Sequence, residues 1–83
     1  MIKQILDVWP YDENHGVRTE WPAEAIVLIE SMPIPHIAAN AAGLLALAKL
    51  FATLAQVDVP LGTHVHIDDF IGASGAELIV ERL

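Results

Sequence analysis

The run from Asn40 to Gln56 (Asn-Ala-Ala-Gly-Leu-Leu-Ala-Leu-Ala-Lys-Leu-Phe-Ala-Thr-Leu-Ala-Gln) constrains this chain more than any other stretch. Its spacing predicts the single long helix. Asn40 suits the N-cap, because its side-chain oxygen can accept an otherwise unpaired N–H of the first turn. Leu44, Leu47, Ala48, Phe51, Leu54 and Ala55 recur at the three- and four-residue intervals of one helical face. Leu45 and Leu50 flank that stripe, and Lys49, Thr53 and Gln56 are its polar positions. What surrounds the helix is short, β-branched or turn-like, and has to supply the surface that buries it.

Two short apolar runs precede the helix. Ile2 to Trp9 reads as a strand closed by Pro10. Ala23 to Ser31 reads as a second, with Ile26-Val27-Leu28-Ile29 continuous rather than alternating, as in a strand covered on both faces. Between them, residues 10–21 carry the turn formers Tyr-Asp-Glu-Asn-His-Gly and form a long connection, a length that marks binding loops in small domains. Pro33 and Pro35 make Met32 to Ile37 an extended link. After the helix, Asp58 to Gly62 is a turn in which Gly62 can take a positive φ. Thr63 to Phe70 and Ala76 to Leu83 are the remaining strands, joined by the loop Gly72-Ala-Ser-Gly75. The order is ββαββ, and the expected fold is α+β: a four-stranded, largely antiparallel sheet with the helix on one face. A chain of 83 residues makes one domain, 1–83. One helix leaves the second sheet face open, so a homodimer is the expected way of covering it.

Composition narrows the function. At 54% hydrophobic, the chain is too apolar for disorder. Eleven acids against four bases give a net charge of −7, which leaves no basic stripe for nucleic acid or for an anionic membrane surface. The same charge suits a basic protein partner. With no cysteine there is no disulfide, thiolate nucleophile or Cys-based zinc site. The first residues lack the basic and apolar regions of an export signal, and the helical run is shorter than the roughly 20 residues of a membrane span. A cytoplasmic protein is expected.

One stretch has a chemical signature. On a strand, His64, His66 and Asp68 point to one side, with Val65 and Ile67 on the other. Two imidazoles and a carboxylate make a plausible first shell for zinc, which His15 or His36 could extend. Same-face neighbours on a strand stand roughly 7 Å apart, however, and an HxH pair on a sheet surface or in a dimer seam is also an ordinary structural feature. No serine has a His and Asp context, Gly72 to Gly75 lacks the lysine and following helix of a phosphate loop, and no catalytic residue is assigned. Trp9 and Trp21 bracket the long connection, each followed by a proline, and either seal a sheet end or anchor a partner.

The pattern Asn-x-x-Gly-Leu-x-x-Leu-Ala-x-x-Leu-x-x-Leu-Ala, followed by Gly-x-His-x-His-Ile-Asp and a closing Glu-Leu-Ile-x-Glu-Arg-Leu, resembles a family. It is similar to a small family of bacterial immunity proteins from polymorphic toxin systems, the thirty-second of that series. The residues that carry it are Asn40, Gly43, Leu44, Leu47, Ala48, Leu50, Leu54 and Ala55, then Gly62, His64, His66, Ile67 and Asp68, then Glu77 to Leu83. The resemblance covers roughly the C-terminal half. It implies neutralisation of a cognate toxin by tight binding, without catalysis or a cofactor. An acidic chain could cover the basic active-site surface of a nuclease toxin and associate quickly through electrostatic steering. The resemblance names no contact residues. The acids of the long connection, Asp12, Glu13 and Glu20, with Trp9 or Trp21 as the aromatic anchor, are the candidates read from this chain. The alternative is a small homodimeric interaction or metal-binding module that uses the His64, His66 and Asp68 face.

Overall fold

The fold is built around the helix. A computed structural model describes residues 1–67 and 73–83, with the backbone path alone at 73–75. The elements are β1 (Val27–Glu30), β2 (His36–Ala39), α1 (Ala41–Leu54), β3 (His64–Ile67), β4 (Ala73–Gly75) and β5 (Leu78–Glu81). The α+β class holds, as does the order of two strands, one helix and further strands. The sheet, however, is divided. β1 is central in a three-stranded sheet of order β2-β1-β4, antiparallel to β2 and parallel to β4. β3 and β5 form a two-stranded antiparallel ladder that pairs His64 with Glu81 and Ile67 with Leu78. The chain passes from β4 into β5 across Ala76 and Glu77, so one stretch lends a strand to each sheet.

Asn40 caps α1 as its sequence suggests and does more besides. Its Oδ1 accepts from Gly43 N at 2.8 Å and from Ile26 N at 2.9 Å, while its Nδ2 donates to the Glu24 carbonyl at 2.8 Å. One side chain thus ties the start of the helix to the approach into β1. Next to it, Gly43 lets the helix backbone lie against that strand. A Cβ at Gly43 would meet the Ile26 carbonyl oxygen at 2.3 Å. At the other end, Arg82 Nη1 donates to the Leu54 carbonyl at 3.2 Å, a cation placed on the negative end of the helix. Gly62 takes its positive φ of 86° in the turn before β3.

Several sequence expectations are corrected. First, the buried face of α1 is Gly43, Ala46, Leu47, Leu50, Thr53 and Leu54, so Leu44, Phe51 and Ala55 lie outside it. Leu50 is 1% exposed and Phe51 46%. A helix this apolar has no unique amphipathic direction, and the close approach at Gly43 selects the face. Thr53 is buried because its Oγ1 donates to the Lys49 carbonyl at 2.6 Å, which satisfies the hydroxyl within the helix. Second, Ile2 to Trp9 is not a strand. Both edges of β1 are taken, by β2 and β4, and the segment lies along α1 instead, whatever its β propensity. Third, Met32 to Ile37 is not a mere link: its end enters β2, which returns antiparallel to β1 with Pro33 and Pro35 in the connection. β1 also alternates, with Val27 and Ile29 buried and Leu28 47% exposed, instead of being covered on both faces.

The core is Val27, Ile29, Leu47, Leu50, Leu54, Val59 and Ile67, with Trp21, Val65, Leu78 and Val80 packed at its border. Of the loop Gly72 to Gly75, residues 73–75 form β4 instead, and Gly72 lies outside the described residues, as do positions 68–70 of the expected third strand. Among the described residues, no helix is long and apolar enough to cross a membrane.

Candidate functional site

Residues 1–26 contain no named strand or helix, yet parts of them are held in place. The clamp is Gln56, just beyond the end of α1. Its Nε2 donates to the Trp9 carbonyl at 2.9 Å and its Oε1 accepts from Tyr11 N at 3.0 Å, so a side-chain amide does for this segment what a neighbouring strand would do. Trp9 is fixed in turn: its Nε1 donates to Glu20 at 2.9 Å, and the Arg18 guanidinium lies 5.2 Å from its ring centroid. The indole stays 45% exposed, held in one orientation on an open surface.

Beside it runs a cleft of about 330 Å³ between the N-terminal segment and α1. Ile5, Leu6, Pro22 and Leu45 supply apolar walls, and Glu20, Glu24 and Lys49 are its charged members. A continuation of this groove is lined by Asp7, Val8, Trp9, Glu20 and Lys49. The acids outnumber the lone lysine along its length.

The sequence candidates separate in space. Trp9 and Glu20 share the groove. Asp12 and Glu13 sit in a compact turn, in which Asp12 accepts from Asn14 N at 2.8 Å and from His15 Nδ1 at 2.8 Å, and Gly16 N donates to the Asp12 carbonyl at 2.6 Å. The Asn14 amide first, then His15, and more weakly Arg18, hold the Asp12 carboxyl below its ordinary range, so the turn carries a firm negative charge. Trp21 is half-buried and packs against the core border. Asp7, Glu24, Ile5 and Leu6 join the groove without any sequence signal. They come from an irregular segment with no periodicity, and only the Gln56 clamp shows where it lies.

The histidine strand is a second cluster. His64 and His66 share the exposed face of β3, their ring centroids 5.2 Å apart. His64 Nδ1 donates to the Gly62 carbonyl at 3.2 Å, and His66 Nδ1 donates to the Glu77 carboxylate. Asp68 lies outside the described residues. Among the described residues, no three His, Asp or Glu side chains converge as a metal site, and His15 and His36 are engaged elsewhere, with Asp12 and Glu30.

The family described as Immunity protein 32 matches residues 35–83, more than half of the chain. That span holds β2, α1 and the strands that follow, whereas the acidic groove draws Asp7, Trp9, Glu20 and Glu24 from residues before it. No curated protein matches, and no solved structure matches.

Proposed function

The chain belongs to the Immunity protein 32 family, and from that premise we propose that it neutralises a cognate toxin in the bacterial cytoplasm by binding it, without catalysis. The observation that carries the reading is the Trp9 indole, oriented by Glu20 and Arg18 beside an apolar cleft with acidic members. An aromatic group already held in one orientation loses little freedom on binding, and Trp is the side chain most often found at the energetic centre of an interface. Asp12, Glu13, Glu20 and Glu24 would steer a basic toxin surface towards it. Trp21 would support this face from the core side. In the same reading the chain is a homodimer, supported by the apolar side chains that its single helix leaves uncovered, such as Leu28 and Ile37.

The test is co-expression with the toxin encoded beside the gene, followed by binding measured on the purified pair. Protection and a stoichiometric complex are expected. Trp9→Ala should weaken the complex about thirtyfold or more, mainly through faster dissociation. Glu13→Lys should instead slow association and reduce its salt dependence. Protection that survives both changes at full strength would remove this face from the account.

A second reading has one observation in its favour. Both imidazoles of β3 use Nδ1 in a hydrogen bond, and the carboxylate of Glu77 orients His66 as such groups orient metal-bound histidines. A divalent metal such as zinc would then bind at His64 and His66, with Asp68 as a further ligand. Titration calorimetry should show one zinc per chain, lost in His64→Ala; heats indistinguishable from buffer would end this reading.

A further inference from the structure

We propose that β2 pairs with β2 of a second copy of this chain, joining two three-stranded sheets into one six-stranded sheet across a two-fold axis at Ala38. The proposal rests on the homodimer reading and is independent of toxin binding.

The ladder between β1 and β2 sets which backbone groups of β2 face outward. Asn40 N donates to the Ile26 carbonyl at 3.1 Å, and these residues continue the register that pairs Leu28 with Ala38 and Glu30 with His36. Hydrogen-bonded pairs alternate with non-bonded ones in an antiparallel ladder, so His36 and Ala38 direct their N–H and C=O groups at β1. The Ile29 carbonyl agrees, since it faces the other way and accepts from Ala76 N at 2.8 Å. Ile37 and Ala39 therefore turn their backbone groups to the outer edge of β2, which no strand covers among the described residues.

That edge is self-complementary. With the two-fold axis at Ala38, Ile37 of one copy faces Ala39 of the other in a hydrogen-bonded pair, and the reverse pair follows by symmetry. All outward N–H and C=O groups of Ile37 and Ala39 are then used. Centring on Ile37 instead would set Ala39 against Pro35, which has no N–H to give. The centre is a non-bonded pair, where backbones come closest, and it holds two alanines. On the outer face Leu28 lies beside Ala38 in each copy, and on the inner face Ile37, 41% exposed, gains Ala39 of the second copy as its neighbour.

Charge selects a second copy as the occupant. Each chain carries −7, so two copies repel except where a surface is free of charge. From Ser31 to Ala48 there is no Asp, Glu, Lys or Arg. β2 is the one strand that lies wholly inside that stretch. Lysines and acids are a usual guard of an open edge, and this strand carries neither; its one ionisable side chain, His36, lies toward Glu30 of β1.

Sedimentation equilibrium of the full chain, with hydrogen exchange on the same sample, tests the proposal. A dimer is expected, with the Ile37 and Ala39 amides protected more strongly as concentration rises. Ala38→Lys, which sets two ammonium groups across the axis without entering the core, should raise the dimer dissociation constant at least about tenfold. Phe51→Lys, on the helix, should leave it unchanged. A dimer that tolerates Ala38→Lys, with Ile37 and Ala39 exchanging freely, keeps the homodimer reading and overturns the β2 interface. A monomeric wild type overturns both. The exchange measurement needs no variant, so the proposal stays open to refutation even if Ala38→Lys fails to fold.

Discussion

Gly43→Ala should destabilise this protein by about 2 kcal/mol, even though it replaces the poorest ordinary helix former with the best. On helix propensity alone the change would add about 1 kcal/mol of stability. Packing opposes it. The new methyl carbon would stand 2.3 Å from the Ile26 carbonyl oxygen, 3.0 Å from Val27 Cγ2 and 3.1 Å from Asn40 Oδ1. The first of these is main chain at the approach to β1, and the third is the cap itself, so no side chain can simply swing aside. Overpacking of this kind costs about 1–3 kcal/mol or more when backbones must part. Separating them also weakens the Asn40 bonds to Gly43 and Ile26, which raises the loss. For a domain of this size 2 kcal/mol lowers the melting temperature by roughly 8–16 °C. Calorimetry decides it: an unchanged or raised midpoint would mean that α1 does not lie against β1 as described.

Leu50→Ala should cost more still, about 2–5 kcal/mol, because Leu50 is 1% exposed at the centre of the core and its removal leaves a cavity. A domain of this length has only about 4–12 kcal/mol in total, so the variant should be largely unfolded on mild heating. The neighbouring Phe51→Ala is the control. Phe51 is 46% exposed, at the rim of an open hollow that Val80 and Leu83 also line, and its truncation should cost about 1 kcal/mol or less. The comparison is sharp because the larger side chain has the smaller effect. Urea denaturation of both variants reads it directly, and the opposite order would show that the helix is rotated about its axis.

That rotation marks where sequence reasoning stopped. The helix was legible because alanine and leucine dominate the run after Asn40, and the cap because Asn supplies the acceptor that a first turn lacks. The face was not. Leucine or phenylalanine occupies Leu44, Leu45, Leu47, Leu50, Phe51 and Leu54, so the run is apolar almost all round. Only the missing Cβ of Gly43, used where α1 meets β1, says which side turns inward. The candidate groove shows a similar division. Trp9, Asp12, Glu13, Glu20 and Trp21 could be picked out by residue type, while Asp7, Glu24 and the apolar walls depend on where an irregular segment lies.

By itself, then, the sequence determined the α+β class, the helix and its cap, the turn at Gly62, two of the later strands, and the resemblance to the family that matches residues 35–83. These follow from local rules in which each residue acts with neighbours a few positions away. Tertiary structure alone decided that the sheet divides in two, that β2 exists as an edge, that residues 1–26 form no strand, and that Gln56 holds the Trp9 segment against the helix. Each of these is a competition for hydrogen-bonding edges between segments far apart in the chain. A strand-like run becomes a strand only if an edge is free to receive it. Here β2 and β4 take both sides of β1, and the N-terminal segment lies along α1, held by the Gln56 side chain.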